Sequence, residues 1–195
     1  MKLVRNNVFE TNSSSTHSIS ICRYEKPQEN NIPRNYSGVY KVSEYGDVGG
    51  SDETYACDTH NTEVSKLRFL INMIASIYED SDAYQEWDYN RREEEGYKEE
   101  QFNKLVNQDL FVWLKEVVFD ETGTEIEFEE LGNNYWFPFF ETTYSENSSI
   151  EDMLDIEEDE NGKYNEEKFK ARIKDIIFNS KVYIENENCP YGMER

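Results

Sequence analysis

The chain has 195 residues, enough for one compact domain with a sizeable core and no need of covalent staples. Its 42 acidic side chains outnumber 20 basic ones, for a formal charge of −22, while 36% of residues are hydrophobic and 14% aromatic. That balance argues against direct contact with nucleic acid or an anionic membrane, whose phosphates it repels. The aromatic content argues against a wholly disordered chain, because such chains are poor in rings.

No stretch approaches the ~20 apolar residues of a bilayer-spanning helix. The opening MKLVRNNVFETNSSS lacks the apolar run of a signal peptide. Three widely spaced cysteines, Cys22, Cys57 and Cys189, fit free thiols in a reducing compartment. The expected location is therefore the cytoplasm of a host cell. Charge is also unevenly placed. Residues 1–41 hold six basic and three acidic side chains, a net of +3, which leaves −25 on the other 154 residues.

In chain order, the pattern predicts two strands over 3–10 and 16–24 around the polar turn Thr11-Asn12-Ser13-Ser14-Ser15. In the second, Ile19 and Ile21 alternate with Ser18, Ser20 and Cys22. Residues 25–60 carry Pro27, Pro33, Gly38, Gly46, Gly49 and Gly50 and read as loop, with one short strand at 38–45. A helix follows over 61–79, capped by Asn61 or Thr62. Leu67, Leu70, Ile71, Ile74, Ile77 and Tyr78 recur at helical spacing.

Residues 80–96 form a charged excursion, and a second helix is predicted over 98–119. Its stripe is Phe102, Leu105, Val106, Leu110, Trp113, Leu114 and Val117, and Gly123 stops it. Ile126 and Phe128 alternate with Glu125, Glu127 and Glu129, which predicts a strand over 124–131 with one acidic face. After the turn Gly132-Asn133-Asn134, an aromatic strand over 135–144 is interrupted by Pro138. A short helix through Ile156 starts at Ser148 or Ser149. A last helix, capped by Asn165, runs to about 179 with Phe169, Ile173, Ile176 and Ile177 inward, and a strand over 181–185 closes the chain. Strands and helices in this order favour an α+β fold in one compact domain, with helices packed on a mixed or antiparallel sheet.

Four groups of residues could carry chemistry. The turn 11–18 places Ser14, Ser15 and His17 together in the basic part of the chain, where hydroxyls and turn N–H groups can hold an anion and histidine can move a proton. Its structural counterpart is a polar turn whose side chains bond their own backbone. Cys57-Asp58-Thr59-His60 has the C-x-x-H form of half a zinc site, but no second closely spaced pair completes it, so no metal is expected and His60 reads as the start of a helix.

The acidic runs include Glu93, Glu94 and Glu95 and the set Glu125, Glu127, Glu129 and Glu130. Carboxylates two residues apart on one strand face stand ~6.5–7 Å apart, near the spacing of phosphates along a DNA strand. Finally, the aromatic cluster 135–144 lies among acids rather than cations, which suits packing better than base stacking. No phosphate-cradling glycine loop is present, and no cofactor is expected.

The stretch Asn7-Val8-Phe9-Glu10-Thr11-Asn12-Ser13-Ser14-Ser15-Thr16-His17-Ser18-Ile19-Ser20-Ile21 resembles the opening of a family of uncharacterised proteins from bacteriophages and their low-GC Gram-positive hosts, which begin with an FETNSSSTHS-type segment. It covers about fifteen residues and implies a phage or mobile-element origin. Joined to the acidic charge, it gives the leading expectation. The chain would be a non-enzymatic inhibitor, anti-CRISPR or anti-restriction-like, whose partner is a host protein with a basic nucleic-acid-binding surface.

The alternative is an enzyme acting on a nucleotide or other phosphate-bearing substrate through Ser14, Ser15 and His17. Its Ser15-Thr16-His17 step resembles the Ser-Thr-Ser step of ADP-ribosyltransferases. It departs from that step at the third residue, while Glu125-Ile126-Glu127 has the form of the family's E-x-E.

Overall fold

The computed structural model describes residues 17–23, 31–42, 58–78, 94, 96–129, 154, 156, 159–160 and 162–188. The fold is α+β. Its elements are β1 (His17–Arg23), β2 (Val39–Val42), β3 (Asp58–His60), α1 (Glu63–Ile77), α2 (Tyr97–Val106), α3 (Asp109–Thr122), β4 (Glu125–Phe128), α4 (Glu166–Phe178) and β5 (Val182–Asn188). The expected strands over 3–10 and 135–144 lie outside the described residues.

Where the sequence suggests a single domain, the chain falls into two compact units, with boundaries between Ile32 and Pro33 and, within α1, between Leu67 and Arg68. One unit holds a three-stranded antiparallel sheet in the order β1-β5-β3, with α4 and the first residues of α1. The other holds the parallel pair β2-β4 with the remainder of α1, α2 and α3. A parallel pair needs a crossover, and three helices separate β2 from β4 in the chain.

In the first unit the helices begin where their polar residues satisfy open backbone donors. Thr62 Oγ1 accepts from Ser65 N at 3.0 Å, and Ser65 Oγ accepts from Thr62 N at 3.1 Å, a reciprocal capping box built on serine. Asn165 Oδ1 accepts from Lys168 N at 2.9 Å and starts α4, which buries Phe169, Ile173, Ile176 and Ile177 as its spacing predicts. Leu154 and Ile156 are buried as well.

One side chain in this core is not apolar. Lys66 is 1% exposed, and its Nζ donates to Asn179 O at 3.2 Å and Val182 O at 3.1 Å. Asn179 is the C-cap of α4 and Val182 opens β5. The ammonium therefore sits at the negative end of one helix and at the start of the central strand. Beside it, Glu63 Oε2 accepts from Ile32 N at 3.0 Å, and Asn179 Nδ2 donates to Asp175 Oδ1 at 2.8 Å.

In the second unit the helix expected over 98–119 is two helices. Asn107 closes α2 with φ −101° and ψ 4°, and Gln108 opens α3 in an extended conformation with ψ 152°. The physical cause is local. Asn107 Nδ2 donates to Asn103 O at 2.7 Å, competing for a helical carbonyl, and Gln108 N turns back to Leu105 O at 3.0 Å. The Gln108 side chain makes no capping bond. Tyr78 supplies one from a distance, its hydroxyl accepting from Leu110 N at 3.2 Å while its ring stacks on Phe111 at 6.3 Å.

Gly123 ends α3 at φ 66°, with its N–H bonded to Phe119 O at 2.7 Å. The following Thr124 is fully buried. Its Oγ1 donates to Pro33 O at 2.7 Å and accepts from Tyr36 N at 3.1 Å, while Asn35 N donates to Thr122 O at 2.7 Å. The segment leading into β2 is thus bonded to the segment leading into β4. A Cβ on Gly123 would collide with Asn35 Oδ1, and the left-handed φ disfavours any side chain there. Gly123→Ala is therefore expected to destabilise the protein by ~1–3 kcal/mol. A shift of the urea midpoint smaller than the experimental error would show that the loop gives way freely.

Candidate functional site

The second sheet is where the acidic signal of the sequence becomes a surface. In β4, Ile126 and Phe128 are buried and Glu125 and Glu127 are exposed, the alternation that period-two patterning requires. The buried side is firm. The Phe128 ring lies 5.2 Å from that of Phe111 at 59°, and Lys115 Nζ stands 5.8 Å from the Phe128 centroid. Burial lowers the Lys115 pKa from its ordinary value. Val42 of β2 is buried beside Phe128 in the register.

The outer side is mixed rather than uniformly acidic. The parallel register places Val39 opposite Glu125 and Lys41 opposite Glu127, and Val39 is 47% exposed. Lys41 Nζ also comes within 4.0 Å of Glu129 Oε1, with both side chains largely solvated. An exposed pair of this kind contributes at most ~1 kcal/mol. It nevertheless offsets one carboxylate of the row. The three glutamates read as an unbroken line in the sequence are therefore a pair, Glu125 and Glu127, followed by Glu129 close to a lysine from the neighbouring strand. The sequence showed no reason to bring residue 41 to residue 127, because that contact spans three helices.

The other candidate residues are distributed as follows. Glu94 is exposed in the turn before α2, where its carbonyl accepts from Tyr97 N at 3.2 Å. Glu93, Glu95 and Glu130 lie outside the described residues, as do Ser14 and Ser15. His17 is the first residue of β1 and stands in register with Asn188. Glu125 and Glu127 of the E-x-E form flank the buried Ile126 on one exposed strand face.

His60 does not start a helix, as the sequence suggested. It ends β3, opposite Ile184 of β5, because strand pairing takes the chain up to the residue before the α1 cap. Cys57 lies outside the described residues, and among the described residues no group of three or more His, Cys, Asp or Glu could hold a metal ion. No helix among them is long and apolar enough to cross a membrane.

Comparison with known protein families, curated proteins and solved structures finds no match. The surface chemistry must therefore speak for itself. Solvated carboxylates next to an exposed valine can receive cationic side chains and exclude some water around them. They hold no nucleophile and no general base of shifted pKa.

Two buried titratable groups of the first unit give the protein a pH signature. Burial lowers the His60 pKa from 6.5 to about 4, so the unfolded chain takes up the proton first. Stability contributed by neutral His60 is complete above pH ~6.5 and is lost as pH falls towards 4, by up to ~3 kcal/mol. Lys66 is lowered from 10.5 to about 8, by burial first and against the attraction of Glu63 and Asp175. The unfolded chain holds the extra proton between those values, so stability rises with pH from ~8 to ~10.5. Melting curves of His60→Gln and Lys66→Met against the parent protein check both. Each variant is expected to lose the slope in its own window and keep the other.

Proposed function

We propose that this chain is a non-enzymatic acidic binding protein of phage type, which occupies the basic nucleic-acid-binding surface of a host defence protein. A CRISPR nuclease or a restriction enzyme is the natural class of target, and the host cytoplasm is the place of action. The observation that carries the reading is the outward row Glu125 and Glu127, continued by Glu129, on a strand whose other face is packed into a core. Net charge supports it, since −22 speeds encounter with a cationic groove and makes affinity fall with salt. The phage-like opening at 7–21 supports the anti-defence context. An acidic protein of this kind competes with nucleic acid instead of binding it, and no cofactor enters.

Reversing Glu125, Glu127 and Glu129 to Lys leaves Ile126 and Phe128 untouched, so the melting temperature should stay within a few degrees of the parent value. Protection of phage DNA from host nucleases, measured in cells carrying the defence system, should disappear with the triple reversal. Unchanged protection by the folded variant rejects the acidic face as the contact. In the same reading the purified protein gives no shift of duplex DNA or single-stranded RNA at physiological salt, because its summed charge opposes phosphate contact. Micromolar binding to either would point to the basic residues of 1–41 instead.

A further inference from the structure

We propose that the outer face of the β2-β4 sheet docks a basic protein surface through two apolar side chains, Tyr36 and Val39, set within a partial rim of carboxylates. The inference rests on the acidic-face reading above and adds what the contact uses besides charge.

Tyr36 and Val39 are 51% and 47% exposed, two of the three large hydrophobic side chains left open among the described residues. They are neighbours. The Tyr36 ring lies over Gly38, where an added Cβ would meet Cε1 at 2.9 Å, Cζ at 3.1 Å and the hydroxyl oxygen at 3.2 Å. Only a residue without a side chain leaves room for the ring beside the start of β2. The backbone beneath is fixed as well, since Tyr36 N donates to Thr124 Oγ1 at 3.1 Å and Asn35 N to Thr122 O at 2.7 Å. The ring is thus presented in a preset position, which lowers the ordering cost of binding.

Val39 continues the same edge and stands opposite Glu125, with Lys41 and Glu127 in the next row. Tyrosine beside an aliphatic residue, ringed by charge, is the composition of an interface centre with a polar rim. The signs of the charges select the occupant. A second copy of this chain and a nucleic acid are both repelled by −22. Base stacking also wants rings among cations, and here the neighbours are glutamates. A cationic protein surface with an apolar side chain between its lysines or arginines satisfies both halves of the patch.

Two peptides of equal charge test this, one of lysine alone and one alternating lysine with leucine, titrated at low and at physiological salt. The mixed peptide is expected to bind about tenfold more tightly and to keep that advantage at physiological salt. Tyr36→Ser with Val39→Ser should abolish the advantage and leave the lysine-only peptide unchanged, at an unaltered melting temperature. Glu125→Lys with Glu127→Lys should weaken both peptides. Equal binding of the two peptides, or an advantage that survives the serine variant, overturns apolar docking and leaves the acidic face standing. Indifference of both peptides to the lysine variant overturns the acidic face and the docking with it.

Discussion

A single buried ammonium organises the first unit. Lys66 Nζ lies between Asn179 O, at the end of α4, and Val182 O, at the head of β5, and no other cation is as fully enclosed among the described residues. Burying a charge costs several kcal/mol before any partner is counted, and the lowered pKa of about 8 reflects that cost. The cost is offset by geometry. Helix-end carbonyls carry partial negative charge and lack intrahelical donors, and the ammonium meets one there and a second at the start of the strand. The α4-to-β5 turn and the first residues of α1 are thereby joined at one point. Losing the ammonium would orphan both carbonyls.

The helical stripe of α1 was legible because Leu67, Leu70, Ile71 and Ile74 carry it, but the same spacing hides Lys66. It lies four residues before Leu70 and seven before Met73, squarely on the apolar face. A lysine on such a face usually reaches back to solvent along its own stem. Here α4 and β5 end where that stem points, and only the tertiary arrangement reveals it. The signal in the sequence was the position itself, a cation where the periodicity calls for an aliphatic residue.

Other differences follow the same division between local and distant causes. Asn165, Thr62 and Gly123 act within a few residues, so their caps were readable. Residue 107 also acts locally, yet an asparagine inside a long apolar stripe looks tolerable until its amide is seen bonded to Asn103 O. The alternation of Glu125 to Phe128 fixes which side of β4 is wet. It says nothing of the neighbour strand, so neither Lys41 nor Val39 could be placed on that face. Tyr36 was read only as loop, since a hydroxyl of Thr124 that orders its backbone lies 88 positions away. Residues 14 and 15 and the acids 93, 95 and 130 lie outside the described chain, so the structure bears on the candidate surface through Glu94, Glu125, Glu127 and Glu129.

The β2-β4 pair separates stability from recognition within a few residues. Its inner side chains, Val42, Ile126 and Phe128, are buried, and Phe128 is gripped by the Phe111 ring and the Lys115 stem. Its outer side chains add little to folding, because exposed ion pairs such as Lys41 with Glu129 are worth a fraction of a kcal/mol to ~1 kcal/mol. Substitutions on the outer face therefore cost the fold little while they reshape charge and apolar area together. That freedom suits a surface under pressure to follow a changing partner. Lys41 fits the same logic. One cation beside three glutamates sacrifices some long-range attraction, but it fixes where a partner's cations can sit, as a like charge placed against them excludes one register and leaves the sites at Glu125 and Glu127 open. Net charge then governs how fast a cationic surface arrives, and the short mixed pattern of the sheet governs how it settles.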